Sequence, residues 1–183
     1  MFVKIVKLPD IKVVSFHSWG EFIGDPEIKA LQMLEEWIKD NGLSIDPSKH
    51  QIFGFDNPVP QVNEKGEQYA SKEKPYGYEV WITISEDYKI EGDLKIKKVG
   101  GGFYAVISIK SAMNISQGWK YVFDWIKNNE KYNFHPKWKG LIKYYSKEII
   151  EHGIIGLENF LNHSEKDIEK MLVDIYIPII EKT

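Results

Sequence analysis

The segment Glu36-Trp37-Ile38-Lys39-Asp40-Asn41 returns as Asp124-Trp125-Ile126-Lys127-Asn128-Asn129, 88 residues further along the chain. Two more pairs keep the same order. Lys4-Ile5-Val6-Lys7-Leu8 resembles Lys95-Ile96-Lys97-Lys98-Val99 at a spacing of 91, and Ile11-Lys12-Val13-Val14 lines up with Phe103-Tyr104-Ala105-Val106. Three matches in one order at nearly one spacing mark an internal duplication. Two copies do not make a solenoid, which needs at least three stacked units to bury a continuous core. The expectation is one pseudo-symmetric domain, residues 1–183, with pseudo-repeats 1–90 and 91–183. A chain of 183 residues is long enough to bury a sizeable core.

Each copy reads as β-α-β-β. Two short strands come first, broken by Pro9-Asp10 in one copy and by Gly100-Gly101-Gly102 in the other. The first helix starts near Asp25-Pro26, a capping carboxylate followed by a proline with its φ preset. Ile28, Leu31, Leu34, Trp37 and Ile38 form its apolar stripe, and Gly42 ends it. The second starts near Ser116 and buries Trp119, Val122, Phe123 and Ile126. Gln51 to Phe55 reads as a short strand and Asn57 to Lys74 as a polar loop. Tyr76 to Ile84 alternates cleanly, with Tyr76, Tyr78, Val80, Ile82 and Ile84 on one face and Glu79, Trp81 and Thr83 on the other. Leu172 to Ile180 does the same, Asp174 and Tyr176 lying opposite Val173, Ile175, Ile177 and Ile179. Between them, Lys139 to Glu151 reads as an inserted helix carrying Ile142, Tyr145 and Ile149 on one side. Leu157 to Leu161 carries Glu158, and Ser164 to Met171 reads as a short capped helix. The predicted class is α+β: duplicated β-α-β-β units, antiparallel sheets, two main helices and a helical insertion in the second half.

Composition excludes several functions. The net charge of −3 argues against a nucleic-acid footprint, which shows as a basic patch or stripe. Cysteine is absent, so disulfides, zinc-thiolate sites and thiol catalysis are excluded, and the chain suits a reducing, cytoplasmic compartment. No stretch approaches the roughly 18 apolar residues of a membrane span. The five histidines show no HExxH or paired helical spacing, so neither a metal nor any other cofactor is expected. Gly-x-Ser-x-Gly is also absent. Gly100-Gly101-Gly102 leads into a strand with no Lys-Ser/Thr after it, which makes it a turn and not a phosphate loop. Aromatic residues reach 14%, with 6 Trp and 10 Tyr. Their polar tips make them awkward to bury fully, which suggests a cavity wall.

Gly101-Gly102-Phe103-Tyr104-Ala105-Val106, Leu157-Glu158-Asn159-Phe160-Leu161-Asn162 and the closing Asp174-Ile175-Tyr176-Ile177-Pro178-Ile179, together with the duplication, resemble the GyrI-like small-molecule-binding domain in stand-alone form. That domain is the effector-binding part of multidrug-sensing bacterial transcription regulators. The resemblance covers nearly the whole chain. It implies a ligand channel at the pseudo-twofold junction, lined by aromatics and by a buried glutamate, here Glu158. The regulators carry an N-terminal DNA-binding helical domain, whereas this chain starts at its first strand, so direct nucleic-acid contact is not expected.

The candidate ligand-binding residues are Glu158, Trp81, Glu79, Tyr104, Asp174, Tyr176, Phe16 and His17. A carboxylate near apolar walls is costly unless paired, so Glu158, with Glu79 and Asp174, is expected to meet a cation or a hydrogen-bond donor. No lysine or arginine falls among the expected inward positions. Trp81, Tyr104 and Tyr176 supply stacking surfaces that also attract cations. The expected function is binding of amphipathic aromatic molecules, cationic ones included, as a sensor or sequestering protein. The resemblance also implies a main alternative, since some GyrI-like proteins are hydrolases opening strained rings: Trp81 would then be the platform, Tyr104 the donor and Glu158 the general base. A third reading that the resemblance suggests, a protein-interaction role such as inhibition of a topoisomerase, has no sequence signature.

Overall fold

A computed structural model describes residues 1–42, 50–89, 94–99, 101–110, 114–136, 140–144 and 172–182. The first half runs β1 (Lys4–Leu8), β2 (Ile11–Gly20), α1 (Asp25–Asp40), β3 (Ile52–Asp56), β4 (Gln61–Val62), β5 (Gln68–Tyr69) and β6 (Tyr76–Ile84). The second runs β7 (Lys95–Val99), β8 (Gly102–Lys110), α2 (Ile115–Lys127), β9 (Tyr132–Phe134), β10 (Leu141–Tyr144) and β11 (Leu172–Glu181). β4 and β5 form a separate hairpin inside the segment read as a loop. The other strands make one antiparallel sheet, ordered β1-β8-β11-β10-β3-β6-β2-β7, with β9 added on β11.

That order is unchanged when β1 is exchanged with β7, β2 with β8, β3 with β10 and β6 with β11. The register follows the same rule. Lys4 pairs with Val106 and Lys95 with Ser15, while Leu8 pairs with Gly102 and Val99 with Ile11. Each half therefore sends its first strand across to the other half. The pairing sets Val13 equivalent to Tyr104, one residue away from the match made on sequence. Register belongs to strand pairing and turn geometry, and local sequence similarity does not fix it.

α1 packs Ala30, Leu31, Leu34 and Trp37 against Phe16, Val80 and Ile82 of β2 and β6. Its cap is Gly24, at φ 98°, and not Asp25, which lies in the first turn and makes no capping bond. There Asp25 and Glu27 still face the positive end of the helix dipole. Gly42 leaves the helix at φ 57°, a left-handed conformation that suits glycine. α2 buries Gly118, Val122 and Ile126. Trp119 and Phe123 are only half-buried, stacked on each other at 5.8 Å.

Every residue of β6 is buried, on both faces. Tyr78, Val80, Ile82 and Ile84 lie under α1. Trp81 joins Val13, Phe53, Phe55, Tyr104, Val106, Leu141 and Tyr176 on the face away from the helices. The predicted helix from Lys139 to Glu151 is corrected at its start. Leu141–Tyr144 is a strand, held between β11 and β3. Leu141 and Ile142 alternate between the two faces of the sheet, a period-2 pattern that four residues cannot separate from a helical one. The rest of that segment, the Glu158 segment and the Ser164 helix lie outside the described residues.

Candidate functional site

On the face away from the helices, Trp81, Tyr104 and Tyr176 converge, each less than 10% exposed. Tyr176 meets Tyr104 at 6.0 Å and Phe53 at 5.9 Å, edge to face, and Trp81 meets Phe55 at 4.6 Å. Glu79, 1% exposed, is saturated. It accepts from Ser15 Oγ at 2.6 Å, Trp81 Nε1 at 2.5 Å and Asn57 Nδ2 at 2.7 Å, and it forms an ion pair with Lys97. Burial alone would push this carboxyl up. The bonds from Lys97, Ser15, Trp81 and Asn57 overcome it and hold the carboxyl down at about 2. This corrects the expectation that no lysine reaches the inward acids. Lys97 arrives on β7, the strand donated by the other half, and its ammonium also lies 5.9 Å from the centre of the Trp81 ring.

The other candidates divide. His17, opposite Glu79 in the register, donates from Nε2 to the Asn57 carbonyl at 2.6 Å and packs on Trp19. Phe16 points the other way, into the α1 core against Trp37 at 5.7 Å, so it does not join the group around Trp81. Asp174 is buried beside Tyr176, whose hydroxyl is pushed up to about 12 by burial and by that negative charge. Burial also raises the Tyr104 hydroxyl. A cavity of about 660 Å³ opens on this face between Trp81, Tyr104, Leu141 and Pro178. Glu158 lies outside the described residues.

The same strand pairing brings the β3 end close to β6, through bonds from Asn57 N to Gly77 O at 2.7 Å and from Gly77 N to Pro58 O at 3.1 Å. A Cβ on Gly77 would sit 2.2 Å from the Asn57 carbonyl oxygen. Gly77→Ala is therefore expected to destabilise the fold by roughly 2–3 kcal/mol, an overpacking cost, measurable as a lowered urea midpoint at unchanged slope.

A second cavity, of about 830 Å³, lies at the junction of the halves. Phe55, Asp56 and Tyr78 come from the first half, Trp119, Phe123 and Ile142 from the second, and Pro58, Pro60 and Val62 from the arm around β4. Val59 and Val62 also line it and are well exposed. Asp56 makes no side-chain hydrogen bond or ion pair among the described residues. Burial, and then the negative charge of Glu27, push its carboxyl up to about 6. Glu27 is itself raised by burial, although it accepts a 2.6 Å bond from the Tyr76 hydroxyl. That hydroxyl in turn accepts from Gly24 N at 2.6 Å. Neither lysine nor arginine appears among the described residues lining this cavity. Sequence reading passed over Asp56, Tyr78, Trp119 and Phe123 as site residues. Asp56-Asn57-Pro58 carries an ordinary turn signal, and both rings of α2 read as core. The available clue was an acid placed directly after Phe53-Gly54-Phe55.

Among the described residues, no group of three or more His, Asp or Glu is placed to hold a metal ion, and no helix is long and apolar enough to cross a membrane.

A family model described as integron-associated effector binding protein matches residues 4–179. The chain is 23% identical over 152 residues to the SPbeta prophage-derived YosT of Bacillus subtilis (strain 168), a candidate transcriptional regulator by its name; the match covers 82% of this chain and 93% of that protein. The C-terminal domain of EcmrR superposes with a TM-score of 0.65 at 14% identity, covering 99% of this chain and 98% of that one. EcmrR in its DNA complex gives 0.64 at 14% identity, covering all of this chain but only 58% of that one. This chain thus spans little more than half of the DNA-bound protein. SAV2435, solved bound to tetraphenylphosphonium, gives 0.51 at 11% identity and coverages of 98% and 94%. At these identities the structures show a common fold.

Proposed function

The chain belongs to the family of integron-associated effector binding proteins, which is GyrI-like and binds small-molecule effectors; from that premise we propose that its effector is an amphipathic aromatic cation, held in the junction cavity with Asp56 as counter-charge. The observation that carries this reading is the state of Asp56: a half-buried carboxylate among aromatic rings, with no cation beside it among the described residues. Such a group either holds a proton or takes a positive guest. The faces of Trp119, Phe123 and Tyr78 add about 0.5–2 kcal/mol for each favourable cation contact. A cavity of 830 Å³ falls within the usual size range for drug-sized ligands. SAV2435, which shares the fold, was solved with a lipophilic cation, and this supports the same class here.

The acid in this reading is not Glu79, whose charge is already met by Lys97. Glu79 is equally unsuited to act as a general base beside Trp81. The Trp81 N–H is committed to Glu79, and a carboxylate held at about 2 is a weak general base. We take the chain to be a single domain, with halves 1–90 and 91–183, acting as a sensor or sequestering protein.

Tetraphenylphosphonium and tetraphenylborate share a shape and differ in sign, so they test the proposal directly. In calorimetric titrations the cation is expected to bind at micromolar levels and the anion at least about tenfold more weakly, the difference that close opposite and like charges impose. Equal affinity for the two ions would remove Asp56 from the site.

A further inference from the structure

The two cavities lie on opposite faces of the sheet and differ in charge. On the face away from the helices, the positive charge nearest the indole is resident: Lys97 Nζ lies 5.9 Å from the Trp81 ring centre and is bonded to Glu79. A cationic guest against that indole would meet an ammonium already in place. The carboxylate that lines this cavity, Glu181, is likewise paired, with Lys131 at 3.2 Å. With the Lys97 and Glu181 charges both already matched, the site gives little electrostatic reward to an ion of either sign.

Among the described residues, two buried hydroxyls on the same face have no hydrogen-bond partner. Tyr104 and Tyr176 are 8% and 6% exposed, and neither hydroxyl has a hydrogen bond among the described residues. Buried polar groups are nearly always bonded, so an unpartnered donor beside a cavity marks a place where something else supplies the acceptor. Tyr104 lines the 660 Å³ cavity together with Trp81, Leu141 and Pro178. Burial keeps its hydroxyl protonated, hence a donor.

We propose that this face carries a second ligand site, for an uncharged, flat aromatic molecule bearing an acceptor oxygen, with the oxygen bonded by the Tyr104 hydroxyl and the ring lying against Trp81. The site is independent of the cation cavity. The Glu79 network holds the indole in place, and the surrounding apolar side chains exclude water from the bond.

The probe is 7-methoxycoumarin, an uncharged bicycle with a lactone carbonyl, titrated by calorimetry into the full chain. Binding is expected in the micromolar to submillimolar range. Tyr104→Phe, which keeps the ring and its packing, should weaken it about five- to tenfold, the worth of one lost neutral hydrogen bond. Asp56→Asn and saturating tetraphenylphosphonium should leave coumarin binding unchanged. If the coumarin fails to bind at 1 mM, if a folded Tyr104→Phe protein binds it as well as the parent, or if tetraphenylphosphonium displaces it competitively, the second site does not exist. Should Tyr104→Phe fold poorly, 7-methoxy-2H-chromene, which lacks the lactone carbonyl, serves as the second probe on the parent: it should bind about five- to tenfold more weakly than the coumarin, and equal affinity for the two also overturns the proposal. Failure of tetraphenylphosphonium to bind, with coumarin binding intact and sensitive to Tyr104, would reject the cation cavity and leave this site standing.

Discussion

Glu79→Gln is expected to destabilise the protein by about 3 kcal/mol at pH 7, since it makes permanent what acid would do to the native residue. The folded carboxyl is held at about 2 against an ordinary 4.5, and each unit of difference is worth about 1.4 kcal/mol. The sign follows from proton uptake. Between pH 4.5 and 2 the unfolded chain binds more protons at this position than the folded one. The stabilisation is therefore complete above pH 4.5 and lost as pH falls towards 2. For a chain of this length, the loss corresponds to a melting temperature lower by roughly 6–12 °C. Urea denaturation at pH 7 and pH 3 checks both parts. The variant should be weaker than the parent at pH 7 and should show less dependence on acid. A variant as stable as the parent would mean that the bonds from Ser15, Trp81, Asn57 and Lys97 contribute nothing beyond what an amide receives.

Asp56→Asn is expected to move stability and binding in opposite directions. The folded carboxyl, raised to about 6, costs stability as pH rises from 3.8 through 6, because the folded state holds its proton longer than the unfolded state does. The amide removes that cost, so the unliganded variant should be more stable than the parent at pH 7, by about 3 kcal/mol. Binding of tetraphenylphosphonium should weaken by roughly ten- to a hundredfold. Opposite charges about 6 Å apart at an effective dielectric near 20 attract by about 3 kcal/mol, partly offset by desolvation. In the parent, affinity should rise between pH 5 and 7 and then level, and the variant should show no such rise. Calorimetric titrations at pH 5, 6, 7 and 8, beside urea curves for both proteins, decide the matter. A variant that binds the cation normally would place the guest elsewhere.

The opposite signs of these effects separate what was legible in the sequence from what was not. The alternation of Tyr76 to Ile84 assigned each side chain of β6 to its face, and β11 was equally plain, because a strand's period of two survives whatever packs on it. The stripe of α1 was legible for the same reason at helical period. What a carboxylate meets depends on distant strands. In sequence Glu79 reads as an acid awaiting a guest because its partner, Lys97, sits on a strand that crosses between the halves. The Lys95-Ile96-Lys97-Lys98-Val99 match revealed the duplication but not the crossing. Asp56 was passed over for the converse reason. Its burial is created by Tyr78, α2 and the arm around β4, none of them its neighbours in sequence. Leu141–Tyr144 passes for helix in sequence because four residues contain too few periods to distinguish two from 3.6.

The exchange of first strands also gives the chain a direction in time that its spatial symmetry conceals. Among the described residues β1 pairs with Gly102 to Val106, on the order of a hundred residues later, whereas β7 emerges when β2 has already been made. On a ribosome adding about 5–20 residues per second, the amino-terminal strand waits roughly 5–20 s with its backbone groups unpaired, while its symmetry mate docks without delay. Pairings across so long a separation close late and slowly. During that interval the nascent first half presents a bare β2 edge, the surface on which another copy's β7 could dock in place of its own. Two halves that are equivalent once folded are thus unequal while being made, and the hazard of pairing between chains falls on the amino-terminal one.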